Sequence, residues 1–238
     1  MGKIVKFQSI KFFDYSFKYL FNKLLNCGGY LVAPAASSLC DIKFNKKYYY
    51  SLRNSDIAIF DSGFFCILLR IFKKIKVKKL SGYLFLKLLL EEKNIKNKKF
   101  FLINPSMKEN IKNFNLLRSK GIINQKSCIA PIYNLSNYND LRLINKINIY
   151  NPDILIINLG GGIQEPLADF IKQKSNKKKL IILCTGAAIS FLTKEQAPIS
   201  TFYDKYYLGW MIRLIHRPKS YFPRVIKSFK MIKFFKNN

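Results

Sequence analysis

Apolar residues along the first 190 or so positions alternate between helical stripes and short unbroken runs. Phe17, Leu20, Phe21, Leu24 and Leu25 fall at helical spacing. Asp14 is placed to cap that helix, and Gly28-Gly29 to end it before the apolar run Tyr30 to Val32. The pattern then repeats. A helix through Tyr48 to Tyr50 and Leu52 leads to Ile57-Ala58-Ile59-Phe60, and helices through Leu68-Leu69 and Leu84 to Leu90 lead to Phe100-Phe101-Leu102-Ile103. A helix from near Lys108 to Lys120 precedes a strand around Cys128-Ile129-Ala130. Another through Leu141, Leu143, Ile144 and Ile147 precedes Ile154 to Ile157, and Leu180 to Cys184 closes the series. Continuous apolar runs suit parallel strands buried on both faces. Strands alternating with helices predict an α/β fold: a doubly wound, Rossmann-like, mostly parallel sheet.

Past Ala197-Pro198 the strand rhythm stops. Tyr203, Tyr206, Tyr207, Trp210, Met211 and Leu214 recur as on a helix, a second helix is expected beyond Pro218, and Lys227, Lys230, Lys233 and Lys236 close the chain. The expected organisation is a core over 1–195 and a small, helical, basic C-terminal appendage over 196–238. No internal repeat is present.

Charge changes this picture most. The chain carries 42 Lys+Arg against 13 Asp+Glu, a formal net charge of +29, so its field attracts phosphate-bearing partners. A composition rich in Lys, Asn, Ile and Phe, as AT-rich coding produces, accounts for part of the excess. Two anionic partners compete. The basic residues form no recognised nucleic-acid module, whereas the tail's aromatics lie at the spacing of an interfacial helix; an anionic membrane surface is therefore expected, and nucleic acid is not. A hydrophobic content of 49% excludes a disordered chain.

His216 is the one histidine, which removes histidine triads and multi-histidine metal sites from the mechanisms available, so no metal is expected. Cys27, Cys40, Cys66, Cys128 and Cys184 form no Cys-x-x-Cys pair and read as free thiols of a reducing compartment. Met1 to Lys6 leads into no long uncharged stretch, and Ile57 to Phe72 is short and interrupted by Asp61 and Arg70. A cytoplasmic protein with peripheral membrane contact is expected.

Four loops follow predicted strands, where a doubly wound sheet binds ligands: Ala33-Pro34-Ala35, Asp61-Ser62-Gly63, Gly160 to Glu165, and Thr185-Gly186-Ala187-Ala188. Asp61 can be a general base at the rim of a pocket or simply a helix N-cap. The glycine run allows close backbone approach, and its N–H groups can receive a diphosphate or make only a tight turn. It lacks the spacing of a dinucleotide site and the Lys-Ser/Thr of a P-loop. Gln164 and Glu165 can read sugar hydroxyls or be favourable first-turn residues.

Taken in order, Asp61-Ser62-Gly63, Ser81-Gly82, Pro152-Asp153-Ile154-Leu155 running into Gly160 and Gln164-Glu165, Ala197-Pro198, and Trp210 with Arg213, Pro218 and Arg224 resemble the signature of the bacterial WecG/TagA/CpsF glycosyltransferases. The resemblance spans roughly residues 7 to 226. It implies an enzyme at the inner face of the cell membrane, in cell-surface polysaccharide synthesis. That enzyme moves a sugar of N-acetylmannosamine type from a UDP-sugar to a polyprenyl-diphosphate-linked acceptor sugar. The resemblance makes Asp61 the catalytic base and places Gln164 in the donor pocket. The appendage contacts the membrane, with Arg213 and Arg224, and Arg217 beside them, closing over the diphosphate. Gly63, Ser81, Gly160 and Glu165 complete the expected substrate-binding set. The UDP-sugar is a substrate, and no separate cofactor is implied. Homo-oligomers are compatible with the resemblance, although no residue requires them.

The chain departs from the family pattern at Ala33 and Ala35, where Thr and Asn are usual, at Gly162-Ile163 for Pro-Lys, at Gly209 for Glu, and at Ser220 for a basic residue. These changes bear on donor choice. The alternatives are a catalytically impaired relative that binds nucleotide sugars and a basic nucleic-acid-binding protein.

Overall fold

A computed structural model of the protein describes residues 2–193, 214–215 and 218–236. An eight-stranded sheet runs in the order β1-β2-β4-β3-β8-β7-β5-β6. The strands are β1 (Lys3–Phe7), β2 (Ile10–Asp14), β3 (Gly29–Val32), β4 (Ile57–Ala58), β5 (Phe100–Asn104), β6 (Gln125–Ile129), β7 (Ile154–Ile157) and β8 (Ile181–Cys184). All pairings are parallel except β1 with β2. The mostly parallel α/β sheet expected from the apolar runs is the one observed.

Strand alternation divides the core into two layers. Tyr30, Val32, Phe101, Ile103, Leu155, Ile157, Ile182 and Cys184 face one layer. It is covered by α2 (Ala36–Leu39), α3 (Lys46–Arg53), α4 (Gly63–Lys73), α7 (Leu141–Tyr150) and α8 (Gln164–Lys174). Leu31, Ile57, Phe100, Leu102, Ile154, Ile156, Ile181 and Leu183 face the other. There the cover is α1 (Phe17–Cys27), α5 (Gly82–Glu91), α6 (Met107–Ser119) and α9 (Ala188–Leu192). Strand β3 sends its helices to the first face and its neighbour β8 to the second. The crevice beyond their C-terminal ends is where such a sheet binds ligands.

Three local features differ from the sequence expectations. Residues 3–14 form a hairpin, its turn made by Gln8 and Ser9 at φ 48° and 62°. Asp14 ends β2 and accepts a bond from Lys78 N–H at 3.0 Å; Ser16 caps α1 in its place, accepting from Tyr19 N–H. The strand expected around Cys128 to Ala130 begins earlier, at Gln125.

The chain beyond Pro218 is helical, as α10 (Pro218–Phe229) and α11 (Ile232–Lys236). Pro218 occupies the first helical position, where a missing N–H costs nothing. Met231, Phe234 and Phe235 are buried in the first core layer, with the Phe235 ring stacked 5.1 Å from Phe7. The end of the expected appendage thus shares the core of the body. The expected helix through Tyr203 to Leu214, and Ala197-Pro198 with it, lies almost wholly outside the described residues.

Candidate active site

Asp61 follows the buried run Ile57 to Phe60 and is itself half-buried. It does not cap the helix behind it. Ser62 does so, accepting from Phe65 N–H at 3.3 Å, while Asp61 Oδ1 accepts the Gly82 N–H at 2.8 Å, in the first turn of α5. Ser81 is buried as the N-cap of α5, its Oγ accepting from Leu84 N–H. Gly82 is tightly enclosed. A Cβ there would lie 3.1 Å from Ala33 Cβ and 3.2 Å from Thr185 Cβ. The start of α5 is therefore pressed on the ends of β3 and β8, and three of the four candidate loops meet around it.

The fourth loop joins through side chains. Gly186 N–H donates to Gln164 Oε1 at 3.0 Å, and Gln164 Nε2 donates to Glu165 Oε1 at 3.0 Å. Glu165 Oε2 accepts the Gly162 N–H at 2.7 Å. Gln164 and Glu165 are both buried, so here they tie the β7 and β8 loops together. Burial pushes the Glu165 carboxyl up to about 7, against the opposing pull of the Gly162 and Gln164 donors. The glycine run does not offer a diphosphate a row of free amides. Gly162 N–H is held by Glu165, and the N–H groups of Ile163 and Gln164 point to Gly160 C=O at 3.4 and 3.3 Å. Gly160 is exposed, and a Cβ there would meet nothing within 4 Å.

A cavity of about 150 Å³ opens beside Asp61. Its body wall includes Asp61, Gly63, Phe64 and Lys79, and its other wall is α10, with Tyr221 and Arg224. Helix α10 is fastened at this position. Lys227 Nζ meets Asp41 Oδ2 at 2.6 Å, Cys40 Sγ donates to Lys227 C=O at 3.2 Å, and the Phe229 ring lies edge-on to Phe64 at 5.3 Å. The Arg224 guanidinium lies 5.3 Å over the Tyr221 ring. Pockets that take a whole drug-sized ligand measure roughly 300–1,000 Å³. This cavity suits the reacting centre of a larger substrate. Ala35 and Ala36 give it an apolar side.

A protein-family model described as the glycosyl transferase WecG/TagA/CpsF family matches residues 5–237 of the 238. The chain belongs to this family. It is accordingly a glycosyltransferase, and the family in general joins a sugar-nucleotide donor to a lipid-linked acceptor. No curated protein matches it.

In this WecG/TagA/CpsF protein the structure brings Asp61, Gly63 and Arg224 to one cavity. It places Ser81, Gln164 and Glu165 in the framework behind the loops. Arg213 and Arg217 lie outside the described residues, as do Trp210 and Gly209. Lys79 and Tyr221 line the cavity without having been singled out in the sequence. Lys79 closes a lysine-rich stretch from Lys73 whose members look alike until the fold separates them, and Tyr221 lies among many aromatics. No group of three or more metal-ligating side chains occurs among the described residues.

Proposed function

We propose that the protein transfers a sugar from a UDP-sugar to a polyprenyl-diphosphate-linked acceptor, with Asp61 as general base and Arg224 as a cation for the departing diphosphate. The observation that carries this reading is the shared cavity: a carboxylate from the loop after β4 and a guanidinium from the C-terminal helix line the same space. Inverting transfer makes two demands. The acceptor hydroxyl must lose a proton as it attacks the anomeric carbon, and charge growing on UDP must be met as the glycosidic bond breaks.

Asp61 answers the first demand. Its Oδ1 bond to Gly82 N–H orients the carboxylate, fixing the base by a backbone donor. Arg224 answers the second, with Arg213 and Arg217 proposed beside it. Gln164 is proposed to act on the donor through the loops it joins. The donor is proposed to be of N-acetylmannosamine type, and the reaction to take place at the inner face of the membrane in cell-surface polysaccharide synthesis. No helix among the described residues is long and apolar enough to cross a bilayer. Attachment through a basic, apolar surface is the arrangement that fits this reading.

The reading is tested by incubating the protein with a panel of UDP-sugars and a synthetic prenyl-diphosphate-linked acceptor, followed by mass spectrometry. One sugar mass added to the acceptor, with UDP released, is expected. UDP-sugar hydrolysis without transfer, or no reaction with any donor, would contradict it.

A further inference from the structure

Helix α4 belongs to the α/β body, yet one of its stripes is left in solvent. Phe65, Cys66, Leu68 and Leu69 are buried, while Ile67, Ile71 and Phe72 are 39%, 64% and 39% exposed. On α10, Phe222, Ile226 and Phe229 are each more than half exposed, at intervals of four and three residues that place them on one helix face. The two stripes meet. Phe229 touches Phe64, which lies one helical turn before Ile67 on α4, and Phe72 lies 5.8 Å from Phe235 of α11.

The surroundings of this joined ridge are basic. Arg70, Lys73, Lys74 and Lys76 are exposed at and beyond the end of α4, and Lys219, Lys230 and Lys233 on the C-terminal segment. Positions 62–90 and 205–238 contain no Asp or Glu at all. We propose that α4 and α10 together form one docking face for a bilayer containing acidic phospholipid, with Ile67 and Ile71 entering the headgroup boundary alongside Phe222, Ile226 and Phe229. This rests on the membrane-surface reading above and adds to it a helix of the catalytic body.

Charge and apolarity select this occupant jointly. A nucleic acid would satisfy the lysines and arginine but leave the aliphatic and phenyl side chains with nothing to gain. A second copy of the same face would bring cation against cation, and Asp41, the carboxylate paired with α10, is already taken by Lys227. An acidic bilayer satisfies both halves, since interfacial binding combines buried apolar area with attraction to anionic headgroups. Phe64 and Phe229 also line the cavity that holds Asp61 and Arg224. Docking on this face places the cavity beside the lipid in which a prenyl-linked acceptor resides.

The test is co-sedimentation of the full chain with phosphatidylcholine vesicles, with and without phosphatidylglycerol. The doubly substituted Ile67→Glu/Ile71→Glu is compared with Ile123→Glu/Ile149→Glu. The second pair is 74% and 75% exposed, with Ile123 just before β6 and Ile149 in the last turn of α7, so it makes the same charge change outside α4 and α10. Wild type should bind only the phosphatidylglycerol vesicles. The α4 pair should weaken that binding by about tenfold or more, the control pair by no more than about twofold. Thermal melting of both variants checks that each is folded. Absence of wild-type binding, equal losses in the two pairs, or wild-type binding by the α4 pair would each overturn the proposal. Sugar transfer to a short-chain acceptor in detergent needs no docking, so that assay separates failure of this inference from failure of the proposed reaction.

Discussion

The hydrogen bond from Gly82 N–H to Asp61 joins the end of one strand to the start of a helix 21 positions later. Glu165 shows the other use of a buried acid here. Its two oxygens are occupied by Gly162 and Gln164, and burial raises its ionisation from an ordinary 4.5 to about 7. Because the folded protein then holds a proton that the unfolded chain has released, this group's contribution to stability is greatest below about 4.5. It falls as pH rises toward 7, then levels off. That slope is worth about 3 kcal/mol. Urea unfolding at pH 5 and pH 8 should show wild type losing about that much relative to Glu165→Gln. Glu165→Gln is itself expected to be less stable at both values, since an amide cannot accept both bonds. Parallel pH trends in the two proteins would remove Glu165 as the source.

At the scale of elements, the C-terminal helices show where sequence reading succeeds and where it stops. The buried runs Phe100 to Ile103, Ile154 to Ile157 and Leu180 to Cys184 are legible because a doubly covered parallel strand needs nothing but apolar residues. The hairpin at 3–14 is not legible, since Gln8-Ser9 is no standard hairpin turn pair and the second strand is read equally well as the approach to a helix. Asp61 stands out as an acid after an apolar strand, but Gly82 is the residue that explains its pose, and only the fold brings them together. The tail's lysines likewise hide the burial of Met231, Phe234 and Phe235. Phe235 packs against Phe7, Phe65 and Phe72. Phe235→Ala should therefore cost about 3–5 kcal/mol, read as a lowered denaturation midpoint. A loss under about 1 kcal/mol would show that α11 is held only loosely on the body.

For the whole molecule, a strong positive charge and a two-walled cavity make one design. The sheet supplies Asp61 and the loops around Gly82 and Gln164; the C-terminal segment supplies Arg224 and shares an apolar, basic face with α4. Because the tail's last helix is also part of the core, removing the tail would disturb folding along with the proposed docking, and point substitutions separate these effects better than truncation. The most direct measurement is sugar transfer by Asp61→Asn beside wild type, with UDP-sugar binding followed by calorimetry. An Asn oxygen can still accept the Gly82 N–H, so the site keeps its shape while losing the proposed base. Turnover should fall by about a hundredfold or more with the donor Kd within about twofold of wild type. Wild-type turnover in Asp61→Asn would contradict the assignment of Asp61 as the base, and with it the account of how this cavity works.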